Sequence, residues 1–220
     1  MPDQVPFGTN SFADNPEPRC PCVLLLDVST SMDGQPITQL NIGVQTFKEA
    51  TITDSLAAKR VEVAMVLFGG SVRVATEFCT IDEFNPVALK ASGNTPMGAA
   101  IIKAIDMVKH RKEVYKANGI GYFRPWIFLI TDGEPNDEWN IAAEQIKKGS
   151  EAQEFAFFAV GVEGANFDIL NQIAGARKAL KLQGLCFQEL FAWLSQSLKQ
   201  VSRSKPGESV PLSPPGWAYV

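Results

Sequence analysis

Hydroxyl and carboxyl side chains fall in three short stretches of this 220-residue sequence, each directly after an apolar run or before a helical pattern. The first stretch supplies Asp27, Ser29 and Ser31, the second supplies Thr95, and the third supplies Asp132. Two carboxylates brought close together repel each other unless a proton or a cation lies between them. An all-oxygen set with few charges suits a hard divalent cation, so the sequence predicts a site for Mg²⁺ or Mn²⁺. Such a site has an unfilled position that can accept a carboxylate from another molecule.

A purely structural role is the alternative for each stretch. Ser, Thr and Asp at strand-to-helix turns often serve only as helix caps and turn formers. For Asp27 taken alone, this would be the better interpretation. Three stretches that all fall at expected loop positions make coincidence a poorer explanation. The acidic residues after Asp132, namely Glu134, Asp137 and Glu138, are interpreted as a solvated loop beside a helix N-terminus.

Cysteine and histidine usage argues against other common site types. The four cysteines form no C-x-x-C pair, so we expect buried reduced thiols rather than a zinc ribbon or a thioredoxin-like motif. The only histidine is His110, which lies among basic residues in a helical pattern. A Ser-His-Asp or Cys-His mechanism would have to use that histidine, so neither is expected.

Composition and charge exclude further classes of protein. The chain is 45% hydrophobic and 20% charged with a formal net charge of −4, which disfavours a basic nucleic-acid binder. No apolar run is long enough to span a bilayer. Residues 1–15 lack a basic patch followed by an apolar block, so no signal peptide is expected. These observations predict a protein without a membrane span.

Apolar runs that alternate with helical patterns must position the three stretches. Strands are predicted at 20–26, 61–68, 71–76, 126–130, 155–162 and 179–185. Helices are predicted from residue 36, from residue 97, around 141–146, around 167–173 and over 187–201. Gly69-Gly70 predicts a hairpin, so the third strand is expected to be an antiparallel edge. The pattern predicts an α/β fold, a doubly wound, mostly parallel sheet with one antiparallel edge strand and helices on both faces.

Domain organisation follows from proline content. Residues 1–18 are predicted to form an irregular arm, residues 19–201 a single domain, and residues 202–220 a proline-rich tail that docks through Trp217 and Tyr219 or binds a partner. In open α/β sheets, ligands bind beyond the carboxyl ends of strands, where the strand order reverses. Asp27 and Asp132 are therefore expected to face one another across one crevice.

Three motifs in order resemble the metal-ion-dependent adhesion site of von Willebrand factor type A domains: Asp27-x-Ser29-x-Ser31, Thr95-Pro96 and Thr131-Asp132-Gly133. The resemblance extends in element order from about residue 20 to residue 201. It implies that Ser29, Ser31 and in some states Thr95 bind the metal directly. It also implies that Asp27 and Asp132 act through water, and that an acidic residue of a partner protein fills the last coordination position.

Two segments, 24–32 and 94–98, resemble those of the stand-alone bacterial TerY proteins, which belong to tellurite-resistance and chemical-stress gene clusters. That resemblance implies a metal-dependent assembly module that works beside other Ter proteins in the cytoplasm. An enzymatic activity is not expected. The alternative is a Mg²⁺-dependent phosphohydrolase with Asp27 as nucleophile, although Ser29 stands where such enzymes usually carry a second acid. A secreted adhesin is a third hypothesis, against which the missing signal peptide argues.

Overall fold

The structure of the protein is a computed structural model that describes residues 11–219. The strands, numbered in chain order, are β1 Cys20–Asp27, β2 Val61–Gly69, β3 Ser71–Thr80, β4 Trp126–Thr131, β5 Ala156–Gly161, β6 Leu180–Leu182 and β7 Ala218–Tyr219. The helices are α1 Ser11–Asp14, α2 Gln35–Ile52, α3 Ser55–Arg60, α4 Met97–Ala117, α5 Asn140–Glu151, α6 Phe167–Ala174 and α7 Phe187–Arg203.

The strands form one sheet in the order β3-β2-β1-β4-β5-β6-β7. β1 lies between β2 and β4 and is parallel to both, so the strand order reverses there. The predicted mostly parallel α/β fold is confirmed, and β3 is antiparallel to β2 as Gly69-Gly70 indicated. The tail adds a second antiparallel edge, because β7 pairs with β6. A strand of two residues is too short to leave a periodic pattern in a sequence.

Both faces of the sheet are covered by helices, which explains why β1 is apolar at every position from Val23 to Leu26. Leu24 and Leu26 belong to a buried cluster with residues of α2 and α7. Val23 and Leu25 belong to a second cluster with residues of α4, α5 and α6. A strand buried on both faces has no solvent side that needs polar residues. The helix layers on the two faces of the sheet fix the position at which β1 ends, and with it the position of Asp27.

Some elements differ from the sequence-based prediction. α3 was not predicted from the sequence. Asp54 caps its N-terminus, and the Asp54 side chain accepts hydrogen bonds from the backbone N–H groups of Leu56 and Ala57. β6 covers three residues rather than the predicted seven. α1 lies inside the segment predicted to be an irregular arm, whose first ten residues lie outside the described range. None of the helices within residues 11–219 is long and apolar enough to cross a membrane.

A buried cluster of charges joins the start of β1 and the start of β2 to the second half of α4. The Glu62 carboxylate, 2% exposed, accepts from Arg19 at 2.9 Å and from Arg111 at 2.8 Å. The Tyr115 hydroxyl also donates to Glu62. Arg19, 1% exposed, donates in turn to the carbonyl oxygens of Asn15 and Glu17. The cluster therefore ties the segment before β1 to the end of the sheet opposite the three polar stretches.

Candidate metal centre

The two predicted carboxylates lie at the carboxyl ends of neighbouring strands. Asp27 is the last residue of β1, and Asp132 directly follows β4. The pairing of Leu26 with Ile130 brings these strand ends side by side. Ser29 and Ser31 lie on the short 3₁₀ turn that leaves β1. The predicted crevice at the reversal of strand order is therefore where the fold places these four residues.

Both oxygens of the Asp27 carboxylate are engaged within the protein. Oδ1 accepts from the backbone N–H of Ser29 at 2.8 Å, and Oδ2 accepts from the Thr131 hydroxyl at 2.5 Å. The side chain is 0% exposed. Because Thr131 ends β4, this bond also joins the ends of the two central strands. Asp27 is thus held in one orientation by two hydrogen-bond donors, the Ser29 N–H and the Thr131 hydroxyl.

The serine hydroxyls connect the first stretch to the third. The Ser31 hydroxyl donates to Asp132 Oδ1 at 2.8 Å, and the Ser29 and Ser31 Oγ atoms lie 3.0 Å apart. Ser29 and Asp132 are buried, whereas Ser31 is exposed. The oxygens therefore line a site that is closed on the protein side and open toward solvent at Ser31.

Thr95 approaches the same site from the loop before α4. The position that a Cβ atom at Gly133 would take lies 3.2 Å from Thr95 Oγ1 and 3.6 Å from Asp27 Oδ2. The two oxygens therefore flank Gly133, at a place where a larger side chain would crowd them. Thr95 is 8% exposed, and its carbonyl oxygen accepts from the N–H groups of Met97 and Asn136. All five predicted site residues thus come together in the fold.

Close backbone contacts hold the loop that carries Thr95. The carbonyl of Val28 accepts from Ser92, and the carbonyl of Gly93 accepts from Thr30 at 2.9 Å. Gly93 has a φ of +74°, and a Cβ there would lie 2.4 Å from the Cα of Gly70. Only glycine satisfies both the left-handed backbone and the close approach. The glycines of the β2–β3 hairpin and of this loop are therefore part of what positions Thr95.

Replacing Gly93 by alanine tests this packing. We expect Gly93→Ala to lower the free energy of unfolding by more than 2 kcal/mol, because backbone strain of about 1–3 kcal/mol adds to a steric clash with Gly70. The matched control is Gly119→Ala, since Gly119 has a similar φ of +67° but nothing within 4 Å of its Cβ position. Urea unfolding of both variants measures the difference. Equal losses would show that the loop yields to the added methyl group.

Burial makes the site unfavourable for bare carboxylates. It raises the pKa of Asp27 to about 6, against which the hydrogen bonds from Ser29 and Thr131 act, while the nearby Asp132 raises it further. Burial also raises the pKa of Asp132, which the Ser31 hydroxyl partly opposes. Both shifts have the sign expected for carboxylates that lack a compensating positive charge.

The donor set fits a hard divalent cation. It offers two carboxylates and three hydroxyls, and Mg²⁺ binds oxygen ligands of this kind while it keeps several waters. Within residues 11–219, no group of three or more His, Cys, Asp or Glu side chains is placed to hold a metal ion. The site is therefore poor in the ligands that Zn²⁺ prefers and rich in neutral oxygens.

Two further residues support the site, although the sequence analysis gave neither of them a role in it. Thr131 closes an apolar strand, and only the pairing of β1 with β4 reveals that its hydroxyl reaches Asp27. Asp137, interpreted as part of a solvated loop, caps α4 instead: its two oxygens accept from the N–H groups of Gly98 and Ala99. Gly98 and Ala99 lie 39 and 38 positions before Asp137 in the chain, which is beyond the reach of a local capping pattern.

Similar folds occur in solved structures of low sequence identity. The pilus adhesin SpaC from Lactobacillus rhamnosus GG is 12% identical with a TM-score of 0.67; the match covers 84% of this chain but 30% of SpaC. The vWF domain of the type V pili tip protein Mfa5 from Porphyromonas gingivalis is 11% identical with a TM-score of 0.64. That match covers 88% of this chain and 99% of the Mfa5 domain. The manganese-loaded TRAP protein of Plasmodium vivax is 19% identical with a TM-score of 0.52, over 79% of this chain and 73% of that chain.

These structural similarities show the fold alone, and no curated protein matches the chain in sequence. The family assignment comes from the sequence profile of the von Willebrand factor type A domain, which matches residues 22–188. That range runs from β1 into α7 and includes all three polar stretches. The chain therefore belongs to the von Willebrand factor type A domain family.

Proposed function

We propose that this chain is an interaction module in which Mg²⁺ or Mn²⁺, held at the crevice between β1 and β4, bridges to an acidic side chain of a partner protein. The observation that carries the proposal is the convergence of two carboxylates with the hydroxyls of Ser29, Ser31 and Thr95 at one strand end. The exposed Ser31 marks the side from which a partner carboxylate could approach. The manganese-loaded state of a protein with this fold supports the choice of cation.

Each residue has a role in the proposal that follows from its environment. Ser29, Ser31 and Thr95 supply neutral oxygens, which hold a cation without adding further negative charge. Asp27 and Asp132 supply the negative charge that makes cation binding favourable in a buried site. A cation that keeps an exchangeable water in its coordination shell can take a carboxylate oxygen from outside in its place, which is the chemistry that a metal-bridged contact requires.

The environment of Asp27 supports a binding role over a hydrolytic one. A nucleophilic carboxylate needs a free oxygen that a phosphoryl group can reach. Asp27 is 0% exposed and both its oxygens already accept hydrogen bonds, from Ser29 and from Thr131. The phosphohydrolase hypothesis therefore has no feature of the site in its favour, and we propose that the chain is not an enzyme.

A cellular role in tellurite resistance or chemical stress rests on the resemblance of segments 24–32 and 94–98 to TerY proteins. On that basis we propose that the partners are Ter-cluster proteins in the cytoplasm. Partners that are recovered from the source cells only when Mg²⁺ is present would identify the complex.

The proposal predicts that removing hydroxyl ligands weakens metal binding and abolishes partner binding. The Ser29→Ala, Ser31→Ala double variant should bind Mn²⁺ at least about tenfold more weakly, as measured by electron paramagnetic resonance. In pull-downs from source cells, the wild-type chain should retain partners in Mg²⁺ and lose them in EDTA. The double variant should retain none of these partners in either buffer.

The matched control is Ser55→Ala, because Ser55 is an exposed serine at the start of α3, away from the crevice. It should bind Mn²⁺ and partners as the wild-type chain does. Partner binding that survives both EDTA and the double substitution would contradict the proposed bridge. Unaltered Mn²⁺ binding in the double variant would contradict the proposed ligands.

A further inference from the structure

The C-terminal tail folds back against α7 and the edge of β6. The Trp193 indole donates to the carbonyl of Ser213 at 2.8 Å, and the Gln200 amide donates to that of Pro211 at 3.1 Å. Trp217 is 3% exposed, and its ring centre lies 5.6 Å from that of Trp193. Together with the pairing of β7 with β6, these contacts hold the tail in place. The tail lies beyond residue 188, where the match to the family profile ends, so what it builds is an addition to the part of the chain that defines the family.

The docked tail closes one side of a cavity of about 260 Å³, which we call the tail cavity. Phe158 of β5 and Trp193 of α7 line it from the body of the domain, and Leu212, Pro214 and Pro215 line it from the tail. Phe158 is buried and belongs to the apolar cluster on the α7 face of the sheet. Because a proline ring fixes φ, the tail is stiff where it borders the cavity. The tail cavity is therefore preformed and lined largely by apolar rings.

Two cationic side chains border the tail cavity, those of Arg177 and Lys178. Among the residues that the structure describes, no aspartate or glutamate lines this cavity. The Arg177 guanidinium lies over the Phe158 ring, 4.3 Å from its centre. A guanidinium held over an aromatic ring by cation–π attraction still has N–H groups that can donate to an acceptor. The tail cavity thus combines apolar walls with a hydrogen-bonding cation at its rim.

Arg177 has no ion-pair partner in the part of the chain that the structure describes, because no carboxylate oxygen lies within 4.0 Å of its guanidinium. Glu154 and Glu208 line a neighbouring cavity that Arg177 also borders, but neither carboxylate comes that close. The pKa of Arg177 is lowered, first by burial and then by the charge of Arg124. An anion bound at the Arg177 guanidinium would offset both effects.

Apolar walls and an unpaired guanidinium together favour a flat ligand with a single negative charge. An inorganic anion would leave the walls in contact with water, and a neutral apolar molecule would leave Arg177 unpaired. A carboxylate matches the guanidinium because its two oxygens can accept two parallel N–H bonds. An aromatic ring matches the walls because it can pack against the Trp193 indole and the tail prolines. The volume of 260 Å³ lies below the range of about 300–1,000 Å³ that is typical of ligand sites, so the molecule must be small.

We propose that the tail cavity binds a small aromatic monocarboxylate. The ring lies between Trp193 and the tail prolines, and the carboxylate pairs with Arg177 at the rim, close to Lys178. The tail cavity shares no lining residue with the metal centre. The ligand site is therefore independent of the proposed metal bridge.

Isothermal titration calorimetry of the wild-type chain with phenylacetate tests the proposal. Phenylacetate should bind, whereas phenylacetamide, which keeps the ring, and acetate, which keeps the charge, should bind at least about tenfold more weakly. Arg177→Gln should weaken phenylacetate binding by a similar factor, because it removes the charged donor. In NMR spectra, phenylacetate should shift the indole N–H resonance of Trp193 but not that of Trp139, which lies at the start of α5.

Arg73→Gln is the matched control, since it removes an exposed arginine of β3 that does not line the tail cavity. It should leave phenylacetate binding unchanged, and so should EDTA, which separates this site from the proposed metal bridge. The proposal is overturned if millimolar phenylacetate gives neither binding heat nor a shift of the Trp193 resonance. Equal binding of the amide, undiminished binding by the Arg177→Gln variant, or a shift confined to Trp139 would overturn it as well.

Discussion

In metal-free buffer at pH 7.5, the Asp27→Asn variant should unfold at a higher temperature than the wild-type chain. Burial raises the pKa of Asp27 from 3.8 to about 6, so the folded state holds a carboxylate that it would prefer to keep protonated. Two units of pKa correspond to roughly 3 kcal/mol at neutral pH. Asparagine removes this charge, and its amide oxygen can still accept from the Ser29 N–H. The expected gain is about 5–10 °C in Tm.

The pH dependence of the wild-type chain should have the same origin. A carboxyl whose folded pKa is raised favours the folded state below pH 4, and this advantage is lost as the pH rises toward 6. Mg²⁺ restores stability only where it meets an ionised carboxylate. The stabilising effect of Mg²⁺ on the wild-type chain should therefore be large at pH 7.5 and small at pH 5. The stability of the Asp27→Asn variant should respond little to Mg²⁺ at either pH.

Thermal melts with EDTA and with millimolar Mg²⁺ check these expectations. The matched control is Asp82→Asn, because Asp82 is an exposed acid in the turn after β3 and has no contact with the crevice. It should leave both the Tm and the Mg²⁺ response unchanged. An Asp27→Asn chain that melts below the wild type in EDTA, or that still responds to Mg²⁺, would contradict this account of the site.

The second large effect concerns the buried charge cluster at the opposite end of the sheet. Glu62→Gln should lower the free energy of unfolding by about 3–5 kcal/mol, because it leaves Arg19 and Arg111 without a negative partner in a buried place. The substitution keeps the volume of the side chain, so the loss would come from charge and hydrogen bonding. Chemical denaturation with urea measures it.

An exposed ion pair provides the control for Glu62. Glu144 lies 3.9 Å from Lys148 on α5, and their side chains are 74% and 79% exposed. Glu144→Gln should change the free energy of unfolding by less than about 0.5 kcal/mol. Because Arg19 holds the carbonyls of Asn15 and Glu17, Glu62→Gln should also speed proteolysis before β1. Equal stability of the two variants would contradict the proposed role of the cluster.

The sequence reveals the strands and the polar stretches because both follow local rules. Apolar runs that are buried on both faces mark β1 and β4, and a ligand site at their carboxyl ends follows from the topology of open α/β sheets. This reasoning places Asp27 and Asp132 at one crevice, where the structure has them. Ser29 and Ser31 follow as the hydroxyls just beyond the end of β1, and Thr95 follows as the hydroxyl in the loop before α4.

Features that depend on distant partners leave no such local signal. Glu62 sits inside an apolar strand, and its arginine partners lie 43 and 49 positions away. In the sequence, Thr131 is only the last residue of a predicted strand. Its hydrogen bond to Asp27 becomes evident once β1 lies beside β4. β6 pairs with only the last two residues of β5, and its three residues are too few for a periodic pattern that would distinguish it from a loop. Pairwise contacts of this kind become visible only in three dimensions.

Asp27 and Asp132 together carry two negative charges when ionised, which a divalent cation would balance in full. An occupied crevice of this type projects almost no electric field into the solvent. A partner would therefore not be drawn in from a distance, and its encounter rate would depend little on ionic strength. Selectivity would arise at short range, from the fit of the incoming oxygen to the coordination shell, and the lifetime of the complex would follow how quickly that one bond to the ion opens.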